Sequence, residues 1–230
     1  MSQIKSILQK LEGTSVYSSL VEVEKAYENI FKKQTDWYDK TDFRCLSGCG
    51  HCCKNFEPDI FEAEALYMAA WLLENQHSIA LEISQKNFPF NQDDKTCPFY
   101  NSISPYHCSI YGGRPFICRL FGASGSYSKK HEIMWRPCKF YPENELKAFN
   151  PRLEKKQYSE KETIELIGAV PPAMSDLIEE CLSLTSDSDD TKYIHDILPS
   201  AIKKLLWLIN MNGNDNDTPN GSPNGAPQAA

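Results

Sequence analysis

The chain lacks a long apolar run and lacks an excess of positive charge. Its best apolar stretch, residues 66–73, is far shorter than the roughly 20 residues that a transmembrane helix needs. The formal net charge is −7, so no overall basic field points to nucleic acid or an anionic membrane. The first residues, MSQIKSILQKLEG, have neither the apolar segment nor the small-residue cleavage site of a secretory signal. We expect a soluble, cytoplasmic protein without a nucleic-acid or membrane partner.

Sequence signatures of several enzyme classes are also missing. There is no Gly-x-Ser-x-Gly elbow, no His-Glu-x-x-His motif and no Gly-rich strand-to-helix loop of the kind that binds S-adenosylmethionine by a dinucleotide-like route. Paired carboxylates such as Asp93-Asp94 fall in expected loops, where they are interpreted as solvated charge. We therefore assign no catalytic residues, and the sequence leaves open whether the protein is an enzyme.

What the chain has in abundance is cysteine. Thiolates are strong soft metal ligands, and a cytosolic protein seldom keeps many of them without a metal. A disulfide framework is disfavoured in a reducing compartment. Eight of the nine cysteines lie between residues 45 and 138, and four of these occupy only nine residues. We predict that these eight bind metal: Cys45, Cys49, Cys52, Cys53, Cys97, Cys108, Cys118 and Cys138.

The spacing of the cysteines allows one or two metal sites. Four thiolates complete one zinc site or one iron–sulfur cluster, and eight can complete two, or one cluster with some cysteines left structural. Cys52 and Cys53 are adjacent, and adjacent side chains diverge on an extended backbone, so the two can serve different metals. Only Cys49-x-x-Cys52 fits a zinc knuckle, and Cys97-Pro98 is a step common in iron–sulfur proteins. The pattern therefore favours an iron–sulfur cluster, with zinc as the alternative.

Arg114, Arg119 and Arg136 each lie within four residues of a cysteine. Each can offset thiolate charge or donate hydrogen bonds to sulfur, which tunes a metal site from outside its ligands. The alternative is that they bind an anionic group of a substrate. His51 and His107 stand beside cysteines and are weaker ligand candidates, whereas Cys181 lies in an apolar helical stripe and is interpreted as a buried free thiol.

The rest of the chain predicts a mainly α protein with an irregular cysteine-rich middle and little strand. Apolar residues recur at helical spacing before residue 38 and again from 58 to 85, with an Asp59-x-x-Glu62 capping box expected at the second start. Short extended pieces are expected at 106–111 and 132–135, and a last helix from about Tyr193 to Ile209. We divide the chain into an N-terminal helical arm (1–42), a metal-binding region (43–142), C-terminal helices (143–209) and a disordered tail (210–230).

The cysteine pattern resembles a known family. The run Cys45–Cys53, then Cys97-Pro98, then Cys108-Ser-Ile-Tyr-x-x-Arg114-Pro115-x-x-Cys118-Arg119, is similar to the bacterial CxxCxxCC zinc- or iron-chelating domain family, the YkgJ-like cysteine-cluster proteins. The resemblance covers roughly residues 43–140 and implies metal binding by these cysteines. One departure is that three residues, rather than two, separate Cys45 from Cys49. Flagellin lysine N-methylases share such a cluster, which implies an enzymatic alternative.

Three functions therefore remain open. The first is a cytosolic iron–sulfur or zinc protein with a redox, sensing or structural role. The second is a protein-modifying transferase resembling the flagellin methylases, with the cluster beside a substrate pocket. The third is a metal-trafficking protein. Metal ions are the expected partner of the iron–sulfur or zinc protein, and the sequence identifies no protein partner.

Overall fold

The N-terminal arm folds into a short helix followed by a long one, as the apolar spacing predicts. The computed structural model describes residues 2–46, 48–54, 56–91, 96–182 and 190–215. Gly13, at φ +84°, and Thr14, the extended N-cap, separate the first two helices. The helices of the described residues are α1 (Lys5–Lys10), α2 (Ser15–Thr41), α3 (Glu62–Asn75), α4 (His77–Ser84), α5 (Phe116–Leu120), α6 (Glu143–Phe149), α7 (Glu160–Ile167), α8 (Met174–Leu182) and α9 (Ile194–Asp215).

Two small antiparallel sheets accompany the helices. They are formed by β1 (Asp59–Ile60) with β4 (Lys192–Tyr193), and by β2 (Ser126–Tyr127) with β3 (Ile133–Met134). Asp59 pairs with Tyr193 and Ser126 pairs with Met134. The described part of the chain is therefore mainly α with only two-residue strands, which confirms the predicted fold class.

The first hydrophobic core lies around α3. This helix packs against α1, α2, α4 and α9, and its residues Met68, Ala69 and Leu72 are fully buried. α2 contributes Leu20, Val23, Tyr27 and Ile30 at the predicted helical spacing. Phe31, one residue further along, is 70% exposed because a step of one residue turns the side chain by about 100°.

A second core surrounds the C-terminal end of α2. Trp37 and Phe43 pack there against Trp135, with Phe43 and Trp135 rings 5.1 Å apart and nearly perpendicular. Leu146 from α6 and Ile167 from α7 are buried in the same cluster. Because α2 contributes to both cores, it fixes the space between them, and the cysteine-rich segment lies in that space.

Two local expectations are corrected by the structure, and a third is confirmed. Asp59 belongs to β1, and the carboxylate that accepts a backbone N–H at the start of α3 is that of Glu64, from Phe61 at 3.0 Å, in place of an Asp59–Glu62 box. Residues 106–111 form turns with one isolated bridge, Tyr100 to Cys108, so the extended piece expected there is absent from these described residues. The piece expected at 132–135 is present as β3.

The last helix is longer than predicted. α9 runs to Asp215, past the expected end at Ile209 and into the segment expected to be disordered. The side-chain amide of Asn212 donates to the carbonyl oxygens of Lys10 and Glu12, at 3.1 and 3.2 Å, which holds this end of α9 against the N-terminal arm. The remainder of the expected tail, residues 216–230, lies outside the described residues. No helix within the described ranges has both the length and the apolar character needed to cross a membrane.

Truncating Leu72 should test the first core. Leu72 is fully buried, so Leu72→Ala should leave a cavity and lower the free energy of unfolding by about 2–5 kcal/mol. Leu81 is 41% exposed, and Leu81→Ala is the matched control, expected to cost about 0.5 kcal/mol or less. Urea unfolding followed by circular dichroism measures both, and equal losses in the two variants would contradict the assigned core.

Candidate metal centre

The segment that carries Cys45 to Cys53 is a series of tight turns. It lies against the segment that carries His107 and Cys108. The backbone N–H of Cys49 donates to Leu46 O at 3.2 Å, and that of Cys53 donates to Gly50 O at 3.0 Å. A side chain at Gly50 would overlap His107. Gly50 therefore lets residues 48–53 approach His107 and Cys108, which are more than fifty residues away in the chain.

Backbone hydrogen bonds join the first segment to the one that carries Cys97. The N–H of Cys97 donates to Cys53 O at 3.0 Å, and the Thr96 hydroxyl donates to Lys54 O at 2.7 Å. The chain then turns back so that Tyr100 and Cys108 form an antiparallel bridge. The thiols of Cys97 and Cys108 each accept a backbone N–H two residues further on, from Phe99 and Ile110. Cys97 and Cys108 therefore lie in turns whose sulfurs accept the same kind of backbone hydrogen bond.

The remaining cysteines reach the site from a short helix and a loop. Cys118 lies on α5, whose end is held by the Gln34 side-chain amide of α2, which donates to Arg119 O at 2.7 Å. Just before α5, Gly113 packs so closely against Trp71 of α3 that an added Cβ would lie 2.7 Å from the indole. Cys138 packs against the second core.

Seven of the eight thiols fall into two neighbouring groups. We call Cys53, Cys97, Cys108 and Cys118 the inner group, because Cys97 is part of the first core and two of the others pack on it. Cys118 interacts electrostatically with Cys97 and Cys108, and Cys53 with Cys97 and Cys118. We call Cys45, Cys49 and Cys138 the outer group, because Cys45 interacts with Cys49 and Cys138.

Cys52 lies between the two groups. Its sulfur is 3.9 Å from the sulfur of Cys53, and it interacts electrostatically with Cys45 as well as with Cys97, Cys108 and Cys118. The hydrogen bond between the adjacent thiols lowers the pKa of Cys52 and raises that of Cys53. The structure therefore places all eight sequence-predicted cysteines in one region, where each is a free thiol.

Burial makes most of these thiols hard to ionise. It raises the pKa of Cys97 to about 12 and that of Cys118 well above its usual range, with repulsion from neighbouring thiolates as a further cause in both. Partial desolvation, followed by the charges of Cys49 and Cys138, raises the pKa of Cys45 to about 11. A bound cation favours the thiolate over the neutral thiol, because metal coordination displaces the thiol proton and offsets the thiolate charge. The donor set therefore suits a metal.

A comparison with protein families agrees with this chemistry. Residues 44–139 match the family CxxCxxCC, described as "Putative zinc- or iron-chelating domain". We call this segment, residues 44–139, the CxxCxxCC domain after the family that it matches. The match supports metal chelation by the domain in general. Comparisons with curated proteins and with solved structures found no match.

The sulfurs of the CxxCxxCC domain are not drawn together around a single point. Within the described ranges, no group of three or more His, Cys, Asp or Glu side chains is arranged closely enough to hold one ion. Two donor pairs are close: Cys52 with Cys53 at 3.9 Å, and Cys49 Sγ with His51 Nδ1 at 3.4 Å. A tetrahedral zinc with Zn–S near 2.3 Å spaces its sulfurs about 3.8 Å apart. These pairs have the spacing of one ion's ligands, whereas the wider groups do not.

The three arginines are placed differently with respect to the CxxCxxCC domain's thiols. Arg114 interacts electrostatically with Cys52, Cys108 and Cys118, and its buried Nε has no hydrogen-bond partner among the described residues. Arg119 interacts with Cys108 and stacks on the Tyr27 ring at 3.8 Å.

Arg136, by contrast, is exposed. The two histidines next to cysteines also differ, since His51 contacts Cys49 whereas His107 Nδ1 is buried without a partner in the described part of the chain. The side chain of Cys181 lies outside the described residues.

One functional residue that the sequence analysis missed is Glu64. This buried carboxylate of α3 accepts the N–H of Phe116 at 2.6 Å and that of Phe61 at 3.0 Å, and the Tyr27 hydroxyl lies 3.3 Å away. Phe116 begins α5, so Glu64 fixes the helix that carries Cys118 onto α3. Burial raises the pKa of Glu64, against the lowering effect of these hydrogen bonds. The sequence feature that could have identified Glu64 is its position as an acidic residue within the apolar stretch of α3.

Replacing Glu64 should loosen this attachment. Glu64→Gln keeps the shape but has one acceptor oxygen where the carboxylate has two, so one backbone N–H stays unsatisfied, at a cost of about 1–3 kcal/mol. In the folded protein, Glu64 keeps its proton at pH values above its ordinary pKa of 4.5. The free energy of unfolding of the wild type therefore falls, relative to that of the variant, as the pH rises above that value. The destabilisation should therefore be largest at acid pH.

The control for this test is Glu62→Gln. Glu62 is exposed and pairs with Lys204 at the surface, at 2.8 Å, so its loss should cost about 1 kcal/mol or less. Denaturant unfolding of both variants and the wild type across a pH series provides the comparison. A Glu64→Gln penalty that grows with pH would contradict the raised pKa.

Proposed function

We propose that the CxxCxxCC domain holds an iron–sulfur cluster through the inner group, and that this cluster organises the middle of the protein. The observation that carries the proposal is the convergence of Cys53, Cys97, Cys108 and Cys118 from three separate stretches of the chain. Cysteine thiolates supply all four ligands of common iron–sulfur clusters. When bound, such a cluster supplies one-electron redox chemistry and cross-links the segments that hold it.

The sequence pattern of the cysteines supports a cluster over a single ion. Only Cys49-x-x-Cys52 fits a zinc knuckle, and Cys97-Pro98 is a step common in iron–sulfur proteins. The backbone N–H groups of Phe99 and Ile110 that donate to Cys97 and Cys108 add to this support, because hydrogen bonds to sulfur tune cluster potentials. Zinc is the alternative occupant.

A structural role follows from the small amount of regular structure around the site. Between the end of α4 at Ser84 and the start of α6 at Glu143, the described chain has only the five-residue helix α5, two two-residue strands and a single turn of 3-10 helix. Long stretches of this kind are uncommon in compact domains without another source of order. In this proposal the metal supplies that order, and the free thiols are consistent with a reducing, cytoplasmic setting.

A second candidate is a protein-modifying transferase with the cluster beside its substrate. One observation favours it: the rings of Tyr106 and Tyr111 stack 4.3 Å apart, both are at least 40% exposed, and the Arg114 guanidinium lies 3.9 Å from the Tyr111 ring centre. This stack connects the inner thiols with the surface. In that function the tyrosines would orient a substrate and Arg114 would pair with an anionic group.

Serine substitution of an inner cysteine should remove the metal and unfold the middle. Metal-binding free energy counts as folding free energy in sites of this kind, so Cys118→Ser and Cys53→Ser should lose most of the bound metal and melt at a lower temperature. Anaerobically purified wild type should be brown, with broad visible absorption and bound iron. Metal analysis, absorption spectra and thermal melting measure these outcomes.

Cys181→Ser is the thiol-matched control, because residue 181 lies on α8 and is the one cysteine outside the predicted ligand set. It should change metal content little. A colourless wild type that contains stoichiometric zinc would show that zinc, and not an iron–sulfur cluster, occupies the site. Full metal content and an unchanged melting temperature in Cys118→Ser would remove Cys118 from the ligands.

The charge of Arg114 should strengthen metal binding. Arg114→Gln removes a positive charge that interacts with three thiols, and partners of this kind are typically worth about 10–100-fold in metal affinity. Arg152→Gln is the matched control, at an exposed position outside the matched residues 44–139, and should leave affinity unchanged. Competition with a chromophoric chelator measures both. Equal affinities in the two variants would place Arg114 outside the metal's surroundings.

A further inference from the structure

A short turn beside the thiols holds an apolar side chain out in water. Ile103 is 92% exposed, in the turn formed by residues 101–107. The Asn101 N–H donates to His107 O at 3.1 Å, and the Ile103 N–H donates to the Asn101 side-chain oxygen at 3.0 Å. These hydrogen bonds preform the turn, so a partner that contacts Ile103 has little loop ordering to induce.

Two tyrosines add to this exposed surface. The rings of Tyr106 and Tyr111 stack 4.3 Å apart, and both side chains are exposed. The Arg114 guanidinium lies over the Tyr111 ring at 3.9 Å, so both faces of that ring are covered. Bases of single-stranded nucleic acid need open aromatic faces for stacking, whereas Tyr and Arg are common anchors of protein interfaces. We call Ile103, Tyr106 and Tyr111 the Ile103 face.

The Ile103 face lies beside the inner group. Tyr106 precedes Cys108 by two residues, and Tyr111 follows Cys108 by three. The turns that carry the first four cysteines also touch this part of the chain, since a Cβ on Gly48 would lie 3.4 Å from Pro105 O. A protein bound at this face is therefore next to the centre that the inner thiols are proposed to hold.

The sequence around the Ile103 face contains no acidic residue. Residues 43–56 include two Lys or Arg and residues 95–131 include five, and neither segment has an Asp or Glu. All 31 acidic residues lie elsewhere in a chain whose net charge is −7. Lys54 is exposed, and its ammonium lies 5.9 Å from the ring centre of Tyr100, which forms the bridge to Cys108. An acidic protein surface complements these charges.

We propose that the Ile103 face docks an acidic electron-carrier protein, which exchanges one electron with the inner centre. This rests on the proposed function, because the exchange needs an iron–sulfur cluster in the inner group. A few exposed apolar side chains with cations around them suit the transient interfaces of redox partners, which bury less than about 1,200 Å². Charge attraction speeds such encounters, and an apolar anchor such as Ile103 fixes the orientation. In the exchange one partner loses an electron and the other gains it, and no bond forms or breaks.

Two acidic carriers, a flavodoxin and a plant-type ferredoxin, test the Ile103 face directly. The full chain is purified anaerobically, its metal content and visible spectrum are measured, and each carrier is then titrated into it in a calorimeter at low salt. Both carriers should bind, and their affinity should fall about tenfold or more at 1 M salt, where the Debye length is about 3 Å. A basic cytochrome c is the charge control and should not bind. Stopped-flow mixing should show electron exchange with the flavodoxin, started from whichever partner is reduced.

Ile103→Ser should weaken the binding of both carriers by about tenfold, because a few anchor side chains supply most of the binding energy of an interface. Since Ile103 is so exposed, the variant should keep its fold, metal content and visible spectrum. Ile164→Ser is the matched control, because Ile164 is 47% exposed but lies on α7. Lys54→Glu should also weaken binding, and Lys203→Glu, at an exposed position on α9, should leave it unchanged.

The outcomes separate the docking face from the proposed function. A brown protein that binds neither carrier, or that binds them equally well with Ile103→Ser, overturns the docking face and leaves the proposed function standing. Carriers that bind but exchange no electron in either direction overturn it too, as does a single-stranded RNA oligonucleotide that binds through Ile103 when neither carrier does. A colourless wild type with stoichiometric zinc overturns the proposed function and, with it, the exchange of electrons at this face.

Discussion

The crowding of eight thiols in a partly buried region constrains this structure more than any other feature. Eight thiols lie in one region, most of them have pKa values raised by burial, and their ionised forms repel one another. Proteins place charges together out of water only when another charge or strong hydrogen bonds compensate for them. Arg114 supplies one positive charge beside three of these sulfurs, which is too little for four or more thiolates. A bound metal would supply the remaining positive charge.

The protein scaffold brings the thiols together by specific backbone and packing contacts. Gly50 permits the approach to His107, the Cys97 N–H reaches Cys53 O, and Glu64 holds the start of the helix that carries Cys118. Each contact joins residues more than forty positions apart in the chain. The irregular middle is therefore organised by a small number of long-range contacts, and these act in the same direction as a bound metal would.

Much of the fold could be predicted from the sequence, and the reasons are local. The helical spacing of apolar residues before residue 38 predicted the helical N-terminal arm correctly, since this signal depends on near neighbours. The start of α3 was misplaced because Glu64 competes with Glu62 as the capping carboxylate and is favoured by burial against α5. The grouping of thiols on two cores could not be predicted, because it depends on contacts such as Gln34 with Arg119, 85 residues apart.

The long helix α2 has a consequence for how this chain can be divided. Its residues Gln34 and Trp37 hold the cysteine-bearing region from outside, Gln34 by a hydrogen bond to Arg119 O at 2.7 Å and Trp37 by packing on the Trp135 ring at 6.4 Å. A fragment cut to residues 44–139 would lose this support and expose aromatic residues of the second core to water. The chelating segment of this chain therefore depends for its packing on a helix that precedes it in the sequence.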